Sequence, residues 1–236
     1  MRWPSPWGEG FPGWHIECTA MATKYLGKPF DIHGGGMDLR FPHHECELAQ
    51  AQAAHHTALA KYWLHNNVIT MDGQKMSKSL GNHITLAQLF QGTHDLLTQA
   101  YSPMTLRFFV LQAHYKSTLS FSNEALQAAQ SGYRKLINGL KVVKKLIYTA
   151  EPVADIDKKT IAQLQQHFDH CYQAMNDDFN TAQVMAALFG LLKFIYALKQ
   201  GQLKPSVLGQ AVFEQLKSTY IIFVEDILGL QEAASV

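Results

Sequence analysis

The sequence predicts an α/β domain with part of a parallel, Rossmann-like sheet, followed by an all-α helical bundle. Three observations carry that reading. Strand, glycine loop, helix and strand signals follow one another in the first 84 residues, the order that a parallel βαβ unit requires. Strand-like patterning fades after residue 84. Long helical periodicities fill the region beyond residue 122. At roughly 150 residues per domain, the 236 residues suffice for one large or two modest domains. The expected division is 1–84, 85–121 (a connecting helical segment) and 122–236.

Residues 1–13 read as loop, punctuated by Pro4, Pro6, Gly8, Gly10, Pro12 and Gly13. A helix is predicted from Ile16 to Leu26, closed by Gly27. Phe30-Asp31-Ile32-His33 is a short buried strand, stopped by three glycines. Pro42 suits the first position of a helix running to Tyr62, because its missing N–H is unpaired there anyway. A second strand fits Trp63 to Met71, and Asp72-Gly73 signals a tight turn. Thr85 and Ser102-Pro103 open helices, the second covering Met104 to Tyr115. Four longer helices follow: Asn123–Tyr148, Asp157–Met175, one capped by Asn180 and ending near Gln200, and one starting at Pro205. In the third, Val184, Leu188, Leu191, Leu192 and Ile195 form an apolar stripe that reads as bundle core.

Composition narrows the function. With 20 basic against 19 acidic residues, gross attraction to a polyanion is excluded as the main driver of any partnership. Ten of the twelve histidines lie before residue 119, so the first half is the chemical half. Three cysteines make no closed disulfide framework and point to a reducing compartment. The first seven residues lack the apolar core of a signal peptide. Val184–Leu198, interrupted by Lys193, is expected to be too short to span a bilayer. A cytoplasmic protein with no membrane association is expected.

Three constellations could carry chemistry. His43 and Glu47, four apart on a predicted helix, project from one face, and Cys18 comes from a neighbouring segment. Thiolate, imidazole and carboxylate suit zinc, and three protein donors leave an open coordination position. Cys46, His44 and Glu45 are competing donors, and an acidic first helical turn with surface histidines is the plainer reading. His33-Gly34-Gly35-Gly36-Met37-Asp38 follows a strand, where open α/β sheets bind ligands and an Asp can accept from ribose hydroxyls. A glycine-rich turn with a capping Asp competes with it. An esterase oxyanion loop would need a G-x-S-x-G elbow, which the chain lacks. Lys75-Met76-Ser77-Lys78-Ser79 places two lysines and interleaved hydroxyls on one loop, suited to charge developing at a phosphoryl centre. Gly8-Glu9-Gly10-Phe11-Pro12-Gly13 spells a dinucleotide fingerprint, but no strand precedes it and Pro12 interrupts it.

In this order, Pro12 to Cys18, Phe30 to Leu39, Phe41 to Glu47 and Lys75 to Asn82 resemble the cysteinyl-tRNA synthetases, class I aminoacyl-tRNA ligases. His114-Tyr115-Lys116-Ser117 and Met175 to Thr181 extend the likeness into the helical part. The resemblance implies the second half of a class I catalytic domain in 1–84, a stem-contact-like segment in 85–121 and a helical domain beyond. It implies zinc on Cys18, His43 and Glu47, with one further upstream Cys ligand outside these residues. Trp14 and His33 are implied to line the cysteine pocket. Gly35 and Asp38, within the Gly35–Asp38 stretch, would hold the ATP ribose, while Lys75 and Lys78 of the KMSKS string would act at the phosphates of ATP with Mg. The implied reaction activates cysteine with ATP and transfers it to tRNA(Cys), carried out by a monomer. The upstream ATP-binding string and the anticodon-binding region also lie outside this chain, so the 236 residues alone are expected to be inactive. A ligase passing cysteine to an amino-sugar, and a zinc- or RNA-binding module without catalysis, are the alternatives. Arg134, Lys141 and Lys145 fall on one helix face that could meet RNA phosphates or solvent.

Overall fold

The computed structural model describes residues 2–71, 73–151 and 155–232. The chain divides into two compact units, Met1–Val68 and Ile69–Val236.

The first unit opens with a hairpin where loop is expected. Strands β1 (Trp3–Ser5) and β2 (Gly8–Gly10) pair antiparallel, Trp3 opposite Gly10. The prolines and glycines mark its turn and edges, positions that such short exposed strands tolerate. Helix α1 spans Trp14–Leu26, starting two residues earlier than predicted. Strand β3 (Phe30–Gly36) does not stop at the glycines: His33, Gly34, Gly35 and Gly36 pair in parallel with Trp63, Leu64, His65 and Asn66 of β4 (Ala60–Asn66). Hydrogen bonding to a parallel neighbour holds the glycines extended against their entropy.

Helix α2 covers Glu45–His55, not Pro42–Tyr62. Phe41 is extended (φ −135°, ψ 131°), as expected of a residue preceding proline, and it breaks a π-helical stretch, Arg40–His44, so the regular α-helix starts only at Glu45. At the other end His56 takes a left-handed cap (φ 54°), and Tyr62 and Trp63 join β4. β3, α2 and β4 form one βαβ unit around a small core of Phe30, Ala51, Leu59 and Ala60, packed by Ala22 and Trp63. Thr19 of α1 donates to Gln50 Oε1 of α2 at 2.7 Å.

The second unit begins with β5 (Ile69–Met71) and β6 (Gln74–Lys75), an antiparallel pair. Asp72 of the predicted turn lies outside the described residues; Gly73 has φ +78°. Helix α3 (Leu86–Gln91) carries a full capping box between Thr85 and Gln88, and α4 (Pro103–Leu111) is capped by Ser102. The expected continuation of α4 to Tyr115 does not form. Its place is taken by turns leading to β7 (Leu119–Phe121), a strand unforeseen in the sequence that pairs in parallel with β5. Three residues with little alternation leave no period to detect, and only the partner defines them.

Four long helices then pack: α5 (Asn123–Lys145), α6 (Lys158–Asn176), α7 (Thr181–Lys199) and α8 (Gln210–Ile221), the last extended by a π-helical stretch, Ile222–Ile227. The caps Ser122, Asp157 and Asn180 each accept from a backbone N–H in the first turn of α5, α6 and α7. The core runs through Leu126, Leu136, Leu164, Phe168, Leu188, Leu191, Phe213 and Tyr220. By length and composition α7 could cross a membrane, which corrects the expectation from its length. Its apolar stripe, Val184, Leu188, Leu191, Leu192 and Ile195, is nevertheless buried against the bundle, as expected of a core helix.

Candidate metal centre

Helices α1 and α2 lie side by side and bring together donors that are distant in the chain. The Cys18 sulfur, a His43 ring nitrogen and a Glu47 carboxylate oxygen all lie within 4.8 Å of one another. His43 and Glu47 are buried, Glu47 completely, and Cys18 is partly exposed. Glu47 lies one turn beyond His43, so the helical spacing read from the sequence operates although the α-helix proper starts only at Glu45. Among the described residues neither Cys46 nor Glu45 joins a metal-capable group, whereas His44 does, with His33 and Glu47.

The chemistry of this donor set fits a soft-to-borderline divalent cation. Burial, with Glu47 nearby, pushes the Cys18 thiol up, and burial pushes Glu47 up against the opposing pull of His43 and His15. Glu47 Oε1 is buried without a hydrogen-bond partner, an expensive state for a carboxylate. A bound cation would answer all three at once, favouring the thiolate and the carboxylate and occupying the orphan oxygen. The partners of the donors are already in place. His15 Nδ1 and His43 Nδ1 are 2.6 Å apart, which leaves Nε2 of His43 on the side of Glu47.

Around the centre stands an aromatic wall. The Trp14 indole lies 4.3 Å from the His43 ring, centroid to centroid, and is more than half exposed. His33 Nε2 meets Glu47 Oε2 at 3.0 Å, and its ring packs edge-on to Trp63. His44 Nδ1 pairs with His65 Nε2 at 2.7 Å. Burial, reinforced by His33, His65 and His43, brings His44 down to about 4. His15, Trp63 and His65 are not site candidates in the sequence, where His44 stands only as a competing donor. The alternation of Trp63 and His65 along β4 was the available signal, since residues two apart in a strand share a face.

Gly35 and Asp38 sit at the C-terminal end of β3 and in the 3₁₀ turn Met37–Leu39. Asp38 is exposed, and its carboxylate folds over Gly36 where a Cβ would otherwise stand. In the second unit, Lys75 ends β6, and both Lys75 and Lys78 are exposed. The loop is organised by Asn82, whose side chain accepts from Ser77 N at 2.9 Å and donates to the Lys75 carbonyl at 3.2 Å. Gly81 N closes back onto the Lys78 carbonyl. Asn82 is thus an organising residue that motif reading passes over. On α5, Lys141 pairs with Glu232, which partly neutralises the predicted basic stripe, while Lys144, outside that stripe, pairs with Glu225. Lys141 and Lys145 nevertheless line, with Lys199 and Tyr196, an open groove of about 580 Å³.

A parallel βαβ unit whose strand ends carry a glycine run, followed along the chain by a lysine-serine loop, is the framework of a class I aminoacyl-tRNA synthetase. Residues 1–131 match the tRNA synthetases class I (C) catalytic domain, and the chain belongs to that family. Residues 170–232 match the DALR domain. Its curated relatives are cysteine–tRNA ligases: that of Cytophaga hutchinsonii is 56% identical over 236 residues, covering 100% of this chain and 47% of the relative. That of Porphyromonas gingivalis is 51% identical over 232 residues, 98% of this chain and 45% of the relative. The chain therefore spans just under half the length of these relatives. Among solved structures, a LeuRS–tRNA–LeuAMS ternary complex from Agrobacterium radiobacter K84 shares the fold, with a TM-score of 0.62 at 16% identity over 97% of this chain and 34% of its own.

Proposed function

We propose that this chain is part of a cysteine–tRNA ligase, which activates cysteine with ATP and transfers it to tRNA(Cys). The carrying observation is the convergence of Cys18, His43 and Glu47, with their ligand atoms within 4.8 Å. These residues would hold a zinc ion, whose chemistry when bound is to offer a soft position that prefers the substrate's sulfur to a serine hydroxyl. Trp14 and His33 line the pocket for the amino acid, the indole covering one side and the His33–Glu47 hydrogen bond orienting the ring. Gly35 and Asp38 hold the ATP ribose, Asp38 accepting from its hydroxyls. Lys75 and Lys78 stabilise charge on the phosphates as the cysteine carboxylate attacks the α-phosphorus and pyrophosphate leaves. Magnesium accompanies the nucleotide.

In the bundle, Lys141, Lys145 and Lys199 are assigned to tRNA phosphates. The DALR match and the tRNA ligases among the relatives favour tRNA over an amino-sugar as acceptor. The protein acts as a cytoplasmic monomer, organised as a catalytic half over 1–84, a connecting segment over 85–121 and a bundle beyond.

The test is cysteine-dependent ATP–pyrophosphate exchange and zinc content in the entire synthetase, with and without Cys18→Ala. The substitution is expected to abolish exchange and lower zinc occupancy together. Retention of both would refute the assignment.

A further inference from the structure

Glu47 stands between two donor groups. Beside Cys18 and His43, its carboxylate also contacts His33, and the candidate ligand atoms of His33, His44 and Glu47 likewise lie within 4.8 Å of one another. We propose that His33, His44 and Glu47 form a second divalent-cation site, built from nitrogen and oxygen donors alone, and that Glu47 bridges the two sites when both are filled.

The geometry is that of ligands awaiting an ion. Donors about 2 Å from a shared tetrahedral ion stand roughly 3.3 Å apart, and His33 Nε2 lies 3.0 Å from Glu47 Oε2. Glu47 has the capacity for two ions, because Oε1 is fully buried and has no hydrogen-bond partner. His44 is buried, and its Nδ1 is engaged by His65, the outer-sphere hydrogen bond that orients metal-binding imidazoles. The ring is fixed from the other side too: a Cβ on Gly35 would lie 2.6 Å from its Cε1, so only glycine leaves room for it. Two imidazoles and a carboxylate, with no thiolate, suit first-row divalent ions of the zinc class. The site does not depend on whether the protein activates cysteine. If it does, filling this site withdraws His33 from the amino-acid pocket, and a second equivalent of metal inhibits.

Titration of the purified chain with cobalt(II) separates the two sites. The Cys18 site reports through a thiolate-to-metal absorption in the near ultraviolet, and the second site through visible bands without that absorption. Two equivalents are expected. His44→Gln should weaken the second by at least about tenfold and leave the thiolate band intact, whereas Cys18→Ala should remove the band and spare the second site. Saturation at one equivalent, or an unchanged second event in His44→Gln, would overturn the proposal. Circular dichroism checks folding, and His33→Asn replaces His44→Gln if the latter misfolds. A titration with no thiolate band, whose remaining event is lost in His44→Gln, would refute the Cys18 site while upholding this one.

Discussion

The imidazole of His44 lies against the backbone of Gly35 so closely that a Cβ at Gly35 would stand 2.6 Å from Cε1 and 2.9 Å from Nε2. The glycine run of β3 is therefore not uniform. At Gly34 a Cβ would meet only the Leu64 carbonyl at 3.7 Å, an ordinary contact.

Gly35→Ala should consequently lose roughly 2 kcal/mol of stability by overpacking, and Gly34→Ala should lie within about 0.5 kcal/mol of the parent. Urea midpoints at constant m decide the matter. Equal effects at the two positions would show that His44 yields without cost.

Metal removal should act on the first unit. A ligand that binds only the folded state stabilises it in proportion to the logarithm of its concentration over Kd. Chelation is expected to lower the thermal midpoint of the chain, and Cys18→Ala should cancel most of that response. A chelator effect of full size in the substituted chain would place the metal elsewhere.

The helical unit should be alkali-sensitive. Burial pushes the Cys171 thiol from 9.0 up to about 12 and also raises the Tyr220 phenol. Both groups are raised in the folded state, so stability falls as pH rises past their ordinary values, and the Cys171 contribution is whole below pH 9 and lost as pH rises towards 12. For Cys171 the slope approaches about 1.4 kcal/mol per pH unit. Denaturant midpoints between pH 8 and 11 should fall less steeply in Cys171→Ala. At pH 8, thiol reagents should modify Cys171 only under unfolding conditions.

Asp178 and Phe179 both have positive φ, 57° and 56°, a conformation costly for residues with a Cβ. Asp178 is repaid by Tyr115, which donates to Oδ1 at 2.6 Å, and by Lys116. Phe179 exposes nearly half its side chain. Phe179→Gly should therefore stabilise by about 1 kcal/mol, read as a raised thermal midpoint. Asp178→Val should destabilise, and more so than Asp178→Asn, because asparagine tolerates the left-handed region. Lys116 and Tyr115 hold the Asp178 carboxyl below its ordinary value, so this latch is intact above pH 4 and weakens as pH falls below it.

Much of this was legible without coordinates because it is local. Ser122, Asp157 and Asn180 announce helix starts through groups that act within one turn, and the 3.6-residue stripe of α7 states its buried face. His43 and Glu47 are one turn apart in any helix, so their pairing needed no fold. The hairpin Trp3–Gly10, strand β7 and the extension of β3 through Gly36 were hidden for the opposite reason. A strand of three residues, or one of bare glycines, is defined by the neighbour that accepts its hydrogen bonds.

By itself the sequence determined the chemical inventory: a thiol, imidazoles and a carboxylate in one half, a lysine loop after them, and a bundle-forming remainder. Tertiary structure alone decided which donors converge. It brought α1 against α2 so that Cys18 reaches Glu47, left Cys46 and Glu45 outside, and added His33 and His44 from β3 and the turn before α2. The division follows from range. Capping and periodicity act over a few residues of chain, whereas a metal centre is assembled through space by packed elements whose mutual placement no local pattern encodes.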